Sequence, residues 1–152
     1  MINIIDYESW LATLRSEVNN QMGSDTQIES CLLAADESQL TKRLVDKTGV
    51  VLCSSFPDAE LDARTTDNYS EENRLLLYVL YKNASGALTY EEELLLYAKL
   101  QAIMQAVKMI ILSSKADCNL FQFSGKIRTE WEYNQFGGFN GISIGLNVKD
   151  HD

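Results

Sequence analysis

One histidine, one proline and three cysteines are all that 152 residues offer of the side chains most diagnostic of site chemistry. The histidine, His151, is next to last in the chain, so a serine–histidine or cysteine–histidine pair has no positioned imidazole. Cys31, Cys53 and Cys118 are odd in number, far apart and form no CxxC, which leaves a zinc site or disulfide framework without support. They read as small apolar side chains in a reducing compartment. Basic residues are scarce as well. Thirteen Lys and Arg stand against twenty-two Asp and Glu, a net charge of −9, which argues against a phosphate-binding basic face and against an anionic membrane surface. No glycine-rich loop opens a helix, since Gly137-Gly138 falls between two strand-like runs. The N-terminus, MINIIDYESW, has neither a basic region nor a small-residue cleavage site, so the expected location is the cytoplasm. These absences together predict a protein that is not an enzyme and needs no metal or cofactor.

What is present is a long apolar segment, from Leu88 to Lys115. Leu96, Leu100, Ile103, Val107 and Ile110 recur at helical spacing, and Leu95, Ala98, Ala102, Ala106 and Met109 are expected to widen that buried stripe. Thr89 with Glu92 three residues on forms a capping box. A membrane span is the competing interpretation of Leu94 to Leu112. Lys99 and Lys108 oppose it, because each lysine near a bilayer centre costs roughly 2.5–3.5 kcal/mol. The segment is expected to be the core helix, with Asp117 and Asn119 marking its exit.

Ahead of it, Asp6 is a candidate helix cap, with Ile5 and Trp10 as a hydrophobic staple and Tyr7, Leu11, Leu14 and Val18 on one face. Residues 27–35 predict a strand. Asp36 and Gln39 then cap a helix that turns Leu40, Leu44 and Val45 inward, with Gly49 in a left-handed position after it. VVLCSSF (50–56) predicts a second strand, ended by Pro57. Residues 58–73 carry six carboxylates against a single Arg64. They lack the DxDxDG spacing of a calcium loop, so a solvated loop is expected, with Ala59, Leu61 and Ala63 able to prolong the preceding strand. RLLLYVLYK (74–82) is apolar almost throughout, as a central strand covered on both faces requires.

Near the C-terminus, Ile127, Thr129, Trp131 and Tyr133 alternate with charged residues, and Ile142, Ile144, Leu146 and Val148 alternate with small or polar ones. A two-residue turn at Gly137-Gly138 would join two strands and set Trp131 opposite Ile144 and Tyr133 opposite Ile142. By the same parity Phe136 and Phe139 leave the Trp131 face. They either fold back on the sheet edge or form an aromatic tip for another subunit. Gly141 and Gly145 leave their face bare for a close backbone approach.

The order helix, strand, helix, strand, strand, long helix, hairpin predicts one α+β domain over 1–152, with an N-terminal amphipathic helix (1–22) and a sheet-and-helix core (27–149). The sheet is expected to be mainly antiparallel, with ferredoxin-like order in the middle section and helices on one side. The amphipathic N-terminal helix, the long helix and the closing stretch KIRTEWEYNQFGGFNGISIGLNVKD together resemble small tail-completion or tail-terminator proteins of phages and prophages. That resemblance implies a non-enzymatic subunit of a homo-oligomeric ring at a head–tail junction, in the host cytoplasm or the virion. Its partners would be itself and other tail or head–tail proteins, with no nucleic acid and no membrane. Phe136, Gly137, Gly138, Phe139 and Gly141 would make subunit contacts. The alternative is a dimeric cytoplasmic module that binds a small ligand or regulates, with a pocket lined by Tyr78, Tyr97 and Trp131. A third option, an enzyme using the acidic stretch and a metal, predicts tight calcium or magnesium binding.

Overall fold

The computed structural model describes residues 1–65, 68–83, 86–113 and 122–149. Three helices and a six-stranded mixed sheet follow in the order α1 (Ile4–Gln21), β1 (Ile28–Ala34), α2 (Glu37–Leu44), β2 (Val50–Ser55), β3 (Asp58–Thr65), β4 (Asn68–Lys82), α3 (Tyr90–Ser113), β5 (Gln122–Gln135) and β6 (Phe139–Lys149). The protein is therefore α+β, with a mainly antiparallel sheet, a long helix and a C-terminal hairpin. Asp117, Asn119, Cys118 and His151 lie outside the described residues.

β4 organises the sheet, whose order is β1-β2-β4-β6-β5 with β3 also paired to β4. Its second half pairs with β2, its first half with β3, and the stretch from Glu72 to Lys82 with β6. β1 and β2 are parallel neighbours joined through α2, while every other pairing is antiparallel. Successive residues of a strand face opposite sides, and both sides of the inner strands are covered. Leu75, Leu77 and Val79 join Ile142, Ile144, Leu146 and Val148 in a core under α1 and α3. Tyr78 and Leu80 join Val51, Cys53 and Phe139 in a second core under Leu40 and Leu44 of α2. Helices thus lie on both sides of the sheet and not on one. A parallel β1–α2–β2 crossover has to place its helix on a face, and the other face was already filled.

α1 starts at Ile4, and its cap is Asn3, three residues before Asp6. The Asn3 Oδ1 accepts from the Ile5 and Asp6 N–H groups, at 2.9 and 3.3 Å, and Asp6 sits in the first turn at the positive end of the dipole. The expected face, Tyr7, Leu11, Leu14 and Val18, is buried against this domain. In α2 the Gln39 N–H donates to Asp36 as expected, but Val45 is exposed. The capping contact of α3 is present, with the Glu92 N–H donating to Thr89 Oγ1 at 3.2 Å. Leu100, Ile103, Val107 and Ile110 are buried, and Met104 and Ile111 complete that face. Leu95, Ala98, Ala102 and Met109 do not widen it. They point to solvent, Leu95 being 71% and Met109 62% exposed, because α3 packs its other face on the sheet and no described residue covers this one.

The acidic stretch is a hairpin, not a loop. β3 and the start of β4 pair from Asp58–Arg74 to Thr65–Asn68, so the alternation at Ala59, Leu61 and Ala63 did prolong the sheet. Glu60 faces Glu72 directly, a repulsive pair. Arg74 reaches Glu60 at 3.5 Å, and the N-terminal ammonium pairs with Glu71.

Two buried groups make the fold sensitive to alkali. The Tyr7 hydroxyl shares a 2.7 Å hydrogen bond with Ser54 Oγ, and burial pushes its ionisation upward. Burial does the same to the Cys53 thiol. Above the ordinary thiol range, about pH 8.5, the unfolded chain releases protons that the folded chain keeps, so stability falls as pH rises. The melting temperature is expected to decline from about pH 8.5 upward and more steeply past about pH 10, where phenols ionise. In Cys53→Ala the first part of that decline should shrink, with the remainder left by Cys31, whose thiol partial burial also pushes up. A melting profile that stays flat to pH 10 in the parent protein would contradict the burial of Cys53.

Candidate functional site

The turn expected to meet another subunit is packed into its own domain. Three residues, Phe136, Gly137 and Gly138, form the loop, closed by the Gln135–Phe139 pair and a 3.2 Å bond from the Gly138 N–H to the Gln135 carbonyl. A one-residue bulge between Glu132 and Gln135 adds to the effect of the loop, so that Trp131 pairs with Ile142, not Ile144, and Thr129 with Ile144. The register is shifted by two residues from the expected one. Phe136 and Asn134 adopt positive φ (52° and 49°), which costs roughly 1–2 kcal/mol per non-glycine residue. What offsets it is aromatic burial. Phe139 is fully buried and Phe136 meets Tyr78 edge-on, with centroids 5.2 Å apart. Gly141 is buried in the sheet. Gly137 lies over Thr41 of α2, with a Cβ built on it 3.9 Å from the threonine methyl. Of the five candidate contacts, Phe139 and Gly141 are thus closed to a partner. A latch behind the loop adds to this: buried Asn140 accepts from the Asn134 N–H at 2.8 Å and donates to Asn83.

The residues expected to line a ligand pocket are not brought together. Tyr78 lies in the core under α2, whereas Tyr97 and Trp131 meet edge-on, 5.5 Å between centroids, on the α3 side. Among the described residues no group of three or more His, Cys, Asp or Glu side chains could hold a metal ion. The carboxylates of the β3–β4 hairpin are spread along its length and exposed for the most part.

Two surfaces remain. The first is an open trough of about 470 Å³ on the α2 side of the sheet, beyond the end of α2. Leu76 and Gly145 line it, with Arg74, Lys126 and Arg128 along its sides and Asp58 among them. Its arginines already have partners, Glu60 at 3.5 Å and Glu130 at 2.7 Å. The second surface lies on the opposite side, where β5 overhangs the helix layer. Trp131 and Tyr133 are 56% and 58% exposed beside Tyr90 and Leu94 of α3, which are 73% and 52% exposed. The Tyr97 hydroxyl ties helix to strand by donating to the Glu132 carbonyl at 2.8 Å. Sequence periodicity missed this surface because it assigned the Trp131 face to the core. The charged residues alternating along β5 were the available signal that it is an edge.

No protein-family model matches the chain, and no curated protein matches it.

Proposed function

We propose that this protein is a non-enzymatic structural subunit that assembles with copies of itself, in the manner its resemblance to phage and prophage tail terminators implies. The assembly would be a ring at a head–tail junction, with other tail or head–tail proteins as neighbours, in the host cytoplasm or the virion.

The observation that carries the reading is the uncovered apolar sector between α3 and β5. At about 150–250 Å² for a whole aromatic side chain, Tyr90, Trp131 and Tyr133 alone leave roughly 350 Å² in water. Leu94, Leu95 and Met109 of α3 are exposed as well, so the helix adds further apolar surface to what an interface can cover. Exposed aromatic and aliphatic side chains gathered on one side of a molecule mark an interaction surface. The expected result of size-exclusion chromatography with light scattering is a multiple of the protomer mass at micromolar concentration. A strict monomer across a hundredfold range of concentration would overturn the reading.

A further inference from the structure

We propose that two copies join through β5, antiparallel and about a twofold axis at Thr129, so that their sheets run on as one. This rests on the self-assembly reading and names one contact of it, since a twofold contact closes a pair and a ring built from such pairs needs a second, different contact.

The two ends of the sheet are treated differently. At the β1 end, Arg15 donates to the carbonyls of Ile28 (2.9 Å) and Glu29 (2.8 Å). Asn19 both donates to and accepts from the Ile28 backbone, and Arg43 donates to the Leu33 carbonyl. Side chains therefore occupy backbone groups that another strand would need. At the other end β5 is last in the order, and among the described residues no strand lies on its outer side.

β5 carries its own complement. On the α2 side of the strand Lys126 and Arg128 precede Thr129, and Glu130 and Glu132 follow it. An antiparallel copy centred on Thr129 sets Arg128 opposite Glu130 of the second copy and Lys126 opposite its Glu132, each pair occurring twice. Neighbouring registers of the same facing fail: an axis at Glu130 sets that carboxylate against itself, and an axis at Arg128 does the same with two guanidinium groups. Like charges directly opposite are destabilising. Within one copy Arg128 is held by its own Glu130 at 2.7 Å, so pairing exchanges that contact for one across the axis.

The other side of the strand agrees with this register. Ile127 falls opposite Trp131 of the second copy, twice, and both belong to the half-covered surface beside α3. Tyr133 falls opposite Gly125, where a Cβ would find nothing within 4 Å, so the ring has room to lie over that backbone. The two troughs gain as well, because carboxylates of the second copy arrive beside Lys126 and Arg128. The ladder to β6 is regular from Arg128 to Glu132, which holds the Arg128–Glu130 pairs, while Gly125 to Ile127 and Tyr133 lie in the irregular stretches on either side of it.

The test combines crosslinking with a charge swap in the full chain. Thr129→Cys should give a covalent dimer under mild oxidation, while Asn20→Cys, on the far side of α1, should not. Arg128→Glu should weaken dimerisation roughly tenfold or more by replacing two attractive pairs with two repulsive ones. The double swap Arg128→Glu with Glu130→Arg should restore it, and circular dichroism would verify that each variant folds. An oligomer indifferent to both the cysteine and the swap would overturn the β5 interface and leave the self-assembly reading standing. A monomeric parent protein would overturn both.

Discussion

Gly141→Ala is expected to cost at least about 3 kcal/mol, at the upper end of what overpacking a core costs, and to prevent folding where the margin is thin. Gly141 lies in the middle of the sheet, opposite Leu80 of β4 and Glu132 of β5. A Cβ built on it falls 2.0 Å from the Val79 carbonyl oxygen and 3.0 Å from the Leu80 Cα. Both are backbone atoms of the central strand, which cannot swing aside as a flexible side chain would. Relief requires β4 and β6 to separate, and with them the two cores they divide. For a domain of this length each kcal/mol lowers the melting temperature by about 2–4 °C, so a fall of roughly 6–12 °C or an insoluble product is the expected outcome. Gly145→Ala provides the contrast on the same strand. A Cβ there meets nothing within 4 Å and no left-handed backbone is involved, so its melting temperature should stay close to the parent's. Equal melting temperatures for the two variants would contradict the close approach at Gly141.

These two glycines looked alike in the sequence, and the reason shows how far periodicity can be taken. An apolar pattern of period two states which residues share a face. It also says that a one-residue slip is forbidden, since that would invert every side chain. A two-residue slip preserves all of those facings, so the pattern is blind to it. The hairpin of β5 and β6 is therefore where it was expected, with Trp131 two residues from its expected partner. The three-residue loop moves the register by one and the bulge between Glu132 and Gln135 by one more, so the facings are kept. Helix faces were legible where one side alone is apolar, as in α1. In α3 apolar residues run around most of the circumference, and the sequence could not show that Leu100 faces the sheet while Leu95 faces water. The acidic hairpin was hidden for another reason: its carboxylates mask an alternation held in place by backbone pairing to an unusually long β4. For Phe136 and Phe139 the period-two pattern leaves two outcomes open, an aromatic tip or a fold back on the sheet, and burial of Phe139 selects the second for that residue. The same pattern places the Trp131 face in the core, whereas the structure leaves Trp131 and Tyr133 exposed.

Phe139→Ala separates the two views of that loop. As an exposed anchor, Phe139 could be truncated with little change in stability, within about 0.5 kcal/mol for a surface site, and the loss would fall on assembly. In the structure it is fully buried with Tyr78, Leu80 and Leu44, and Lys82 Nζ lies 5.8 Å from its ring centroid. Truncating such a side chain costs about 3–5 kcal/mol, the transfer of the ring plus the cavity left behind. α2 offers only Leu40 and Leu44 from its buried face to refill that space, so collapse onto the cavity is limited. Urea titration should show the midpoint falling sharply while the slope is kept, since the same surface is exposed on unfolding. Trp131→Ala is expected to behave in the opposite way. More than half of that side chain is already in water, so the fold should lose little, whereas the mass measured by light scattering should drop toward that of one protomer. If Phe139→Ala instead leaves the midpoint in place and Trp131→Ala lowers it, the loop and not the strand edge is the surface that faces outward.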